Sequence, residues 1–263
     1  MEVQLNGARI HYRRSGAGFP VVFLHAGVAD SRMWEPQAAG LGEHFDVIRP
    51  DMRGCGESEL PATEWSSTAD VLALMDALGL RQAPHLVGCS VGGGAAIDFT
   101  LEHPERVSKL VLVGAGVGGQ KHDERYDHLF AEVTAAEEAK DLVALNEAEM
   151  NLWLVGPGRT AGHIDKQLRD LFLDMNGRDL RSDWESAPMK RLDPPAVERL
   201  GEIKAPTLVV VGDHDLPDVQ ETADLLVSKI RGARKVVIHD AAHLPNLEHP
   251  EKFNRLILDF LNG

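Results

Sequence analysis

Cysteine is almost missing from this 263-residue chain, which has only Cys55 and Cys89, each beside a glycine. Two thiols cannot supply a disulfide framework, and neither has company at metal-ligand spacing, so free, partly buried cysteines are expected. His11, His44, His85 and His103 are scattered without ligand spacing as well, and nothing in the sequence calls for a metal, nucleotide, flavin or other cofactor. Basic charge is also scarce: 27 Lys and Arg stand against 41 Asp and Glu, a formal net charge of -14. Such a field repels nucleic acid and anionic membrane surfaces. The densest basic stretch, Arg178 to Arg191, is interleaved with Asp179, Asp183 and Glu185, as in a solvated face rather than a phosphate track. No run approaches the roughly 18 apolar residues needed to span a bilayer, and Met1 to Leu5 show no basic leader before an apolar core. The expectation is a cytoplasmic protein with no nucleic-acid or membrane partner. Repeats, heptads and low-complexity tracts are lacking too, and oligomeric state leaves no mark on the sequence.

What is present is enough apolar residue, 43% of the chain, to bury one large α/β domain with an inserted subdomain. Glu2 to Leu5 and Ala8 to Arg13 alternate polar and apolar residues around Asn6-Gly7, a strong hairpin signal. Apolar runs then alternate with helical stretches: strands at 21–25, 46–50, 83–89 and 107–113, helices near 33–44, 68–78 and 91–103. That alternation predicts right-handed crossovers and a mostly parallel sheet flanked by helices. From Gln120 to Pro195 the rhythm gives way to helical stretches rich in Ala, Glu and Leu. Strands at 207–211 and 235–238 and helices near 219–230 and 250–261 then restore it. The predicted organisation is a core of residues 1–119 and 196–263 with a helical cap, 120–195, inserted after the sixth strand.

Gly88-Cys89-Ser90-Val91-Gly92 lies where a buried strand meets a helix that opens with glycines. A serine there sits on a sharp turn, with small residues two before and two after letting the backbone cross closely. The helix N-terminus beside it offers free N–H groups for an oxyanion. A glycine-rich turn with an incidental serine would read the same way, so partners are needed. Serine at neutral pH needs a base and an acid that fixes the base's tautomer. Asp213 and Asp215 follow the strand at 207–211, and His239 and His243 close the strand at 235–238, on the same rim as Ser90; His214 and His249 are further imidazoles nearby. Cys89 is a rival nucleophile on paper, but as the residue leading into the turn it should point inward.

Five stretches, in register along the whole chain, resemble the α/β-hydrolase superfamily. They are Leu24-His25-Ala26-Gly27, Asp51-Met52-Arg53-Gly54-Cys55-Gly56-Glu57-Ser58, the Ser90 turn, the turn ending at Asp215, and His243 with Glu248-His249-Pro250. The resemblance implies Ser90 as nucleophile, Asp215 as acid in preference to Asp213, and His243 as base. It also implies an oxyanion hole from the N–H groups of Gly27 and Val91. Ala26 departs from the usual His-Gly pair and leaves Val28 as an alternative to Gly27. His25 is expected to hold its loop through its ring nitrogens, and Asp51 and Arg53 to stabilise a turn.

Specificity is expected in the insertion, which must cover the strand ends. Met150, Trp153 and Leu154 recur at helical spacing, as do Leu168, Leu171, Phe172 and Met175; such stripes serve packing, and in a thin cover also the cleft wall. Trp34 is a candidate for the cleft entrance, and Gly156-Pro157-Gly158 for a hinge or fixed corner. The activity implied is hydrolysis of a carboxylic ester, lactone or thioester through an acyl-Ser90 intermediate. A cofactor-free haloperoxidase or perhydrolase, a carbon–carbon bond hydrolase, and a slow or inactive ligand receptor are the alternatives.

Overall fold

A computed structural model of the chain describes residues 1–60, 63–121, 123–180 and 188–263. The chain opens with the hairpin β1 (Glu2–Leu5) and β2 (Ala8–Gly16), paired antiparallel with Leu5 opposite Ala8. Asn6 and Gly7 both take positive φ, 46° and 81°, as a tight hairpin turn of matching twist requires. The strands that follow are β3 (Phe19–Leu24), β4 (Phe45–Pro50), β5 (His85–Cys89), β6 (Leu110–Val113), β7 (Thr207–Gly212) and β8 (Arg234–Ile238). They form one eight-stranded sheet in the order β1-β2-β4-β3-β5-β6-β7-β8, parallel from β4 to β8.

The central strands are buried on both faces, and alternation sorts their side chains. Val21, Phe23, Val47, Val87, Val111 and Val210 join one apolar cluster; Val22, Leu24, Ile48, Leu86, Leu112 and Val209 join the other. Helices α1 (Glu35–Leu41) and α10 (Pro250–Asn262) cover the first face, with Phe253, Ile257 and Phe260 turned inward. Helices α2 (Ser67–Ala77), α3 (Val91–Glu102) and α8 (Pro217–Lys229) cover the second, through residues such as Leu74, Phe99 and Leu226. Ser66 caps α2 by accepting the Ala69 N–H, which fixes where that helix starts.

Between β6 and β7 the longer elements among the described residues are helical: a 3-10 turn at Glu124–Phe130, α4 (Ala131–Ala139), α5 (Leu142–Glu149), a π-helical turn at Met150–Val155, and α6 (Lys166–Asp179), with an isolated bridge of Met189 to Trp65 after them. Asp141 and Asp165 cap α5 and α6. Met150, Leu154, Phe172 and Met175 pack into the first cluster, so the insertion shares a core with the sheet. The return passes the short helices α7 (Ala196–Arg199) and, after β8, α9 (Pro245–Glu248). Half of the mixed-charge stretch 178–191, residues 181–187, lies outside the described residues.

Candidate active site

Three chain turns meet at the C-terminal ends of β5, β7 and β8. Ser90 follows β5 at φ 54°, ψ −116°, a backbone state L-residues seldom hold outside an enforced turn. The enforcement comes from close packing on either side. A Cβ on Gly88 would lie 2.3 Å from the Gly92 carbonyl oxygen, and one on Gly92 would lie 2.4 Å from the His25 and 2.5 Å from the Leu24 carbonyl oxygens. Only glycine leaves room for α3 to cross both β5 and the end of β3. The Ser90 N–H donates to Val113 (2.9 Å), and its carbonyl accepts from Gly94 (3.0 Å) and Gly116 (3.1 Å), which locks the turn to β6 as well.

Asp215 and His243 are brought together. The imidazole Nδ1 lies 3.0 Å from each oxygen of the Asp215 carboxylate, and both residues are buried. Asp215 Oδ1 also accepts the Leu216 N–H at 2.8 Å. A carboxylate can only accept, so the proton of this contact sits on Nδ1, and in the neutral ring Nε2 keeps its lone pair. Nε2 is buried and has no hydrogen-bond partner among the described residues. The Ser90 turn reaches this loop through its neighbour: the Cys89 thiol points inward and lies 3.8 Å from the His243 carbonyl oxygen. Burial, seconded by the Asp215 charge, pushes that thiol well above its ordinary range, which removes it as a nucleophile.

The competitors have other partners. Asp213 binds His239 Nδ1 at 2.9 Å and accepts the Asp240 N–H at 2.7 Å. Burial opposes its charge, but these hydrogen bonds outweigh burial and hold the carboxyl below its usual range. His249 bonds the Asp240 carbonyl at 2.9 Å.

Beside α3, His25 is fully buried and both ring nitrogens are used: Nδ1 bonds the Ala26 carbonyl (2.8 Å), and Nε2 accepts the Met52 N–H (2.7 Å). The Ala26 N–H is turned toward the Met33 sulfur at 3.2 Å. Gly27 faces Val91 so closely that a Cβ would lie 3.2 Å from Val91 Cγ2. No described acceptor takes the N–H of Gly27, Val28 or Val91. Asp51 braces the same region, binding His11 Nδ1 (2.9 Å) and the N–H groups of Ser31 (2.8 Å) and Glu57 (3.0 Å). Burial would raise its carboxyl, yet the Ser31 and Glu57 donors win and lower it. Arg53 forms a bidentate pair with Asp70 at 2.6 Å.

Two expectations about the cleft are corrected. Trp34 does not line an entrance: it is fully buried between Phe23 and Phe253, with ring centroids 5.0 and 6.1 Å away. Met150 and Leu154 are likewise turned into the core, because the residue stripe they form meets Phe172 and Met175. Trp153 alone of the group reaches the site, its ring 4.6 Å from the His243 ring and its carbonyl accepting the His243 N–H at 3.1 Å. Phe130 extends this aromatic wall, 6.0 Å from Trp153. The residue sequence reasoning missed is Gly114, at φ 48°, where a Cβ would lie 2.9 Å from His243 Nδ1. A glycine directly after a buried strand was the available signal.

A doubly covered, mostly parallel sheet with a strained serine and a carboxylate-held imidazole at one rim defines the class of catalytic α/β proteins. The profile of a family described as alpha/beta hydrolase fold matches residues 20–250, and the chain belongs to that family. Its relatives include a 2-hydroxy-6-oxo-6-phenylhexa-2,4-dienoate hydrolase of Comamonas testosteroni, 30% identical over 99% of this chain and 93% of that protein. Carboxylesterase YbfK of Bacillus subtilis is 28% identical over 92% of this chain and 80% of that protein. The crystal structure of the enol-lactonase from Burkholderia xenovorans LB400 superimposes with a TM-score of 0.80 at 28% identity, covering 100% of both chains. The chain is a hydrolase-family enzyme.

Proposed function

We propose that the protein hydrolyses a carboxylic ester or lactone through an acyl-Ser90 intermediate, with His243 as general base and Asp215 as its orienting acid. The observation that carries this reading is the Asp215–His243 contact at 3.0 Å, which leaves a buried Nε2 with no partner among the described residues at the rim where Ser90 stands. His243 takes the Ser90 proton as the hydroxyl oxygen attacks the carbonyl. The N–H groups of Gly27 and Val91 receive the oxyanion, and the imidazolium then protonates the leaving alcohol. Water, deprotonated by the same imidazole, releases the acid and restores Ser90. Asp215 stabilises the imidazolium at each step. The nearness of Gly27 to Val91 supports Gly27 over Val28 as first donor.

The insertion, residues 120–195, serves as the cap, and Trp153 with Phe130 forms the wall against which an apolar acyl or alcohol group rests. Two unpaired, buried cysteines agree with a cytoplasmic enzyme. Hydrolysis of p-nitrophenyl acetate and butyrate, with one-to-one labelling of Ser90 by a fluorophosphonate, tests the reading. Labelling without turnover would instead mark a receptor. A second reading, carbon–carbon bond hydrolysis, is favoured by the relation to the Comamonas testosteroni enzyme. Assaying 2-hydroxy-6-oxo-6-phenylhexa-2,4-dienoate beside an enol lactone and the simple esters separates the two by kcat/KM.

A further inference from the structure

The His243 loop is tied to the insertion by a buried ion pair. Arg159 lies just past the π-helical turn, and its Nε donates to the Val155 carbonyl at 2.6 Å and its Nη2 to the Leu154 carbonyl at 3.1 Å. These carbonyls end a helix and lack intrahelical donors. The same guanidinium reaches across to the core, donating to the Asp240 carbonyl at 3.0 Å and to Glu248 Oε2 at 2.7 Å. The Arg159 and Glu248 side chains are only 4% and 5% exposed. Glu248 Oε1, the other oxygen, accepts the N–H of Ala242 at 2.7 Å, one residue before the imidazole. Close backbone packing accompanies the polar ties: a Cβ on Gly156 would lie 2.4 Å from the His214 carbonyl oxygen and 2.8 Å from Ala242 Cβ.

We infer that Arg159 and Glu248 are positioning residues for the reaction: they clamp the Asp240–Ala242 turn between the insertion and α9 and thereby set where His243 Nε2 stands relative to Ser90. This rests on the reading of His243 as the base for Ser90. A buried ion pair adds little stability over apolar residues of the same volume, so what distinguishes this one is where it holds the chain. The geometry here is specific. One guanidinium fork engages two carbonyls of the insertion, one carbonyl of the His243 loop and one carboxylate, and that carboxylate in turn holds the loop by its N–H. Lysine could supply the charge opposite Glu248 but could not reproduce the fork. It also follows that residues 153–159 form a fixed corner against the core, so any opening of the insertion must come from other segments.

Arg159→Met, Arg159→Lys and Glu248→Gln test the clamp, with Arg14→Met as control. Arg14 pairs with Asp46 at 2.7 Å at the opposite end of the strands, and its loss should lower Tm while leaving kcat unchanged. For p-nitrophenyl butyrate, Arg159→Met and Glu248→Gln should lower kcat and the rate of Ser90 labelling about 10- to 100-fold, the scale of a misplaced catalytic group. KM should stay within about threefold, because ground-state contacts are untouched. Arg159→Lys should recover part of the lost kcat. The proton shared by His243 Nδ1 and Asp215 should shift or broaden in the NMR spectrum of each clamp variant and not in the control. Folded variants with wild-type kcat and an unmoved resonance would overturn the inference, as would losses no larger than the control's. If Arg159→Met and Glu248→Gln fail to fold, Arg159→Lys decides: lowered kcat at constant KM supports the clamp, and unchanged kcat refutes it. If the native enzyme neither turns over nor labels at Ser90, the serine reading fails, while the resonance still reports on the clamp.

Discussion

Gly92 shows how little space the serine turn leaves. Adding one methyl group would force it within 2.4 Å of the His25 carbonyl oxygen, a backbone atom that cannot swing aside. Gly92→Ala should therefore push α3 away from β3, lowering stability by about 1–3 kcal/mol, the usual cost of overpacking. It should also cost activity, because the same shift separates the Val91 and Gly27 N–H groups; urea denaturation beside an ester assay checks both. Asp215→Asn keeps the shape of the acid but offers an amide to Nδ1, and turnover is expected to fall about 10⁴-fold. Ser90→Ala should fall at least as far, and Asp213→Asn should be nearly silent in kcat since Asp213 faces His239. Retention of most ester turnover by Ser90→Ala would remove the covalent route. At this scale much was legible in the sequence. The small residues flanking Ser90 between strand and helix marked the sharp turn but not the role of its serine, and the choice between Asp213 and Asp215 came from resemblance, since spacing alone leaves both carboxylates on the same loop.

At the scale of elements, legibility depended on whether a pattern answers to one environment or two. The parallel strands were readable because burial on both faces demands continuous β-branched and aliphatic runs, as in Val111 to Val113. The insertion was harder. Its apolar stripes were visible, but a stripe does not say whether it meets the sheet core or a cleft. Leu154 and Met150 turned to the core while Trp153, within the same π-helical turn, turned to His243. Trp34 was misjudged for a related reason: proximity in sequence to the His25 loop says nothing of side-chain direction, and its indole fills the space between β3 and α10. The consequence for Trp153 is testable. Trp153→Ala removes the aromatic wall but leaves the carbonyl that holds the His243 N–H, so the catalytic groups should persist. With p-nitrophenyl esters of rising acyl length, kcat/KM for the short esters should drop about tenfold, in line with a lost hydrophobic contact of a few methylenes, while bulkier esters gain relative to them. A uniform loss across all lengths would place Trp153 in support of His243 instead of in contact with substrate.

For the molecule as a whole, two ionisable groups far from the serine, the buried His85 and the half-buried Asp98, pull the pH dependence of stability in opposite directions. His85, at the start of β5, is packed against Phe19 with ring centroids 4.5 Å apart. Burial, aided by the nearby Lys109 charge, pulls its imidazole down to about 4. Its folded pKa lies below the unfolded value of about 6.5, so its contribution is fully present above that pH and is lost as the pH falls toward 4. The loss amounts to at most about 3 kcal/mol. Asp98 on α3 is the reverse case. Burial is the main cause, and Glu102 adds to it against the pull of Arg191 and Arg199, so its carboxyl rises to about 6. A raised carboxyl pKa means stability that is present below the unfolded value of about 3.9 and lost as the pH rises through about 6. Removing each group should consequently move the optimum in opposite senses. His85→Phe, which keeps an aromatic ring against Phe19, should shift the pH of maximum stability downward; Asp98→Asn should shift it upward. Urea unfolding followed by tryptophan fluorescence in half-unit steps from pH 4 to pH 8 would measure both shifts. Displacement of the two variants in the same direction would mean that these side chains do not govern the profile.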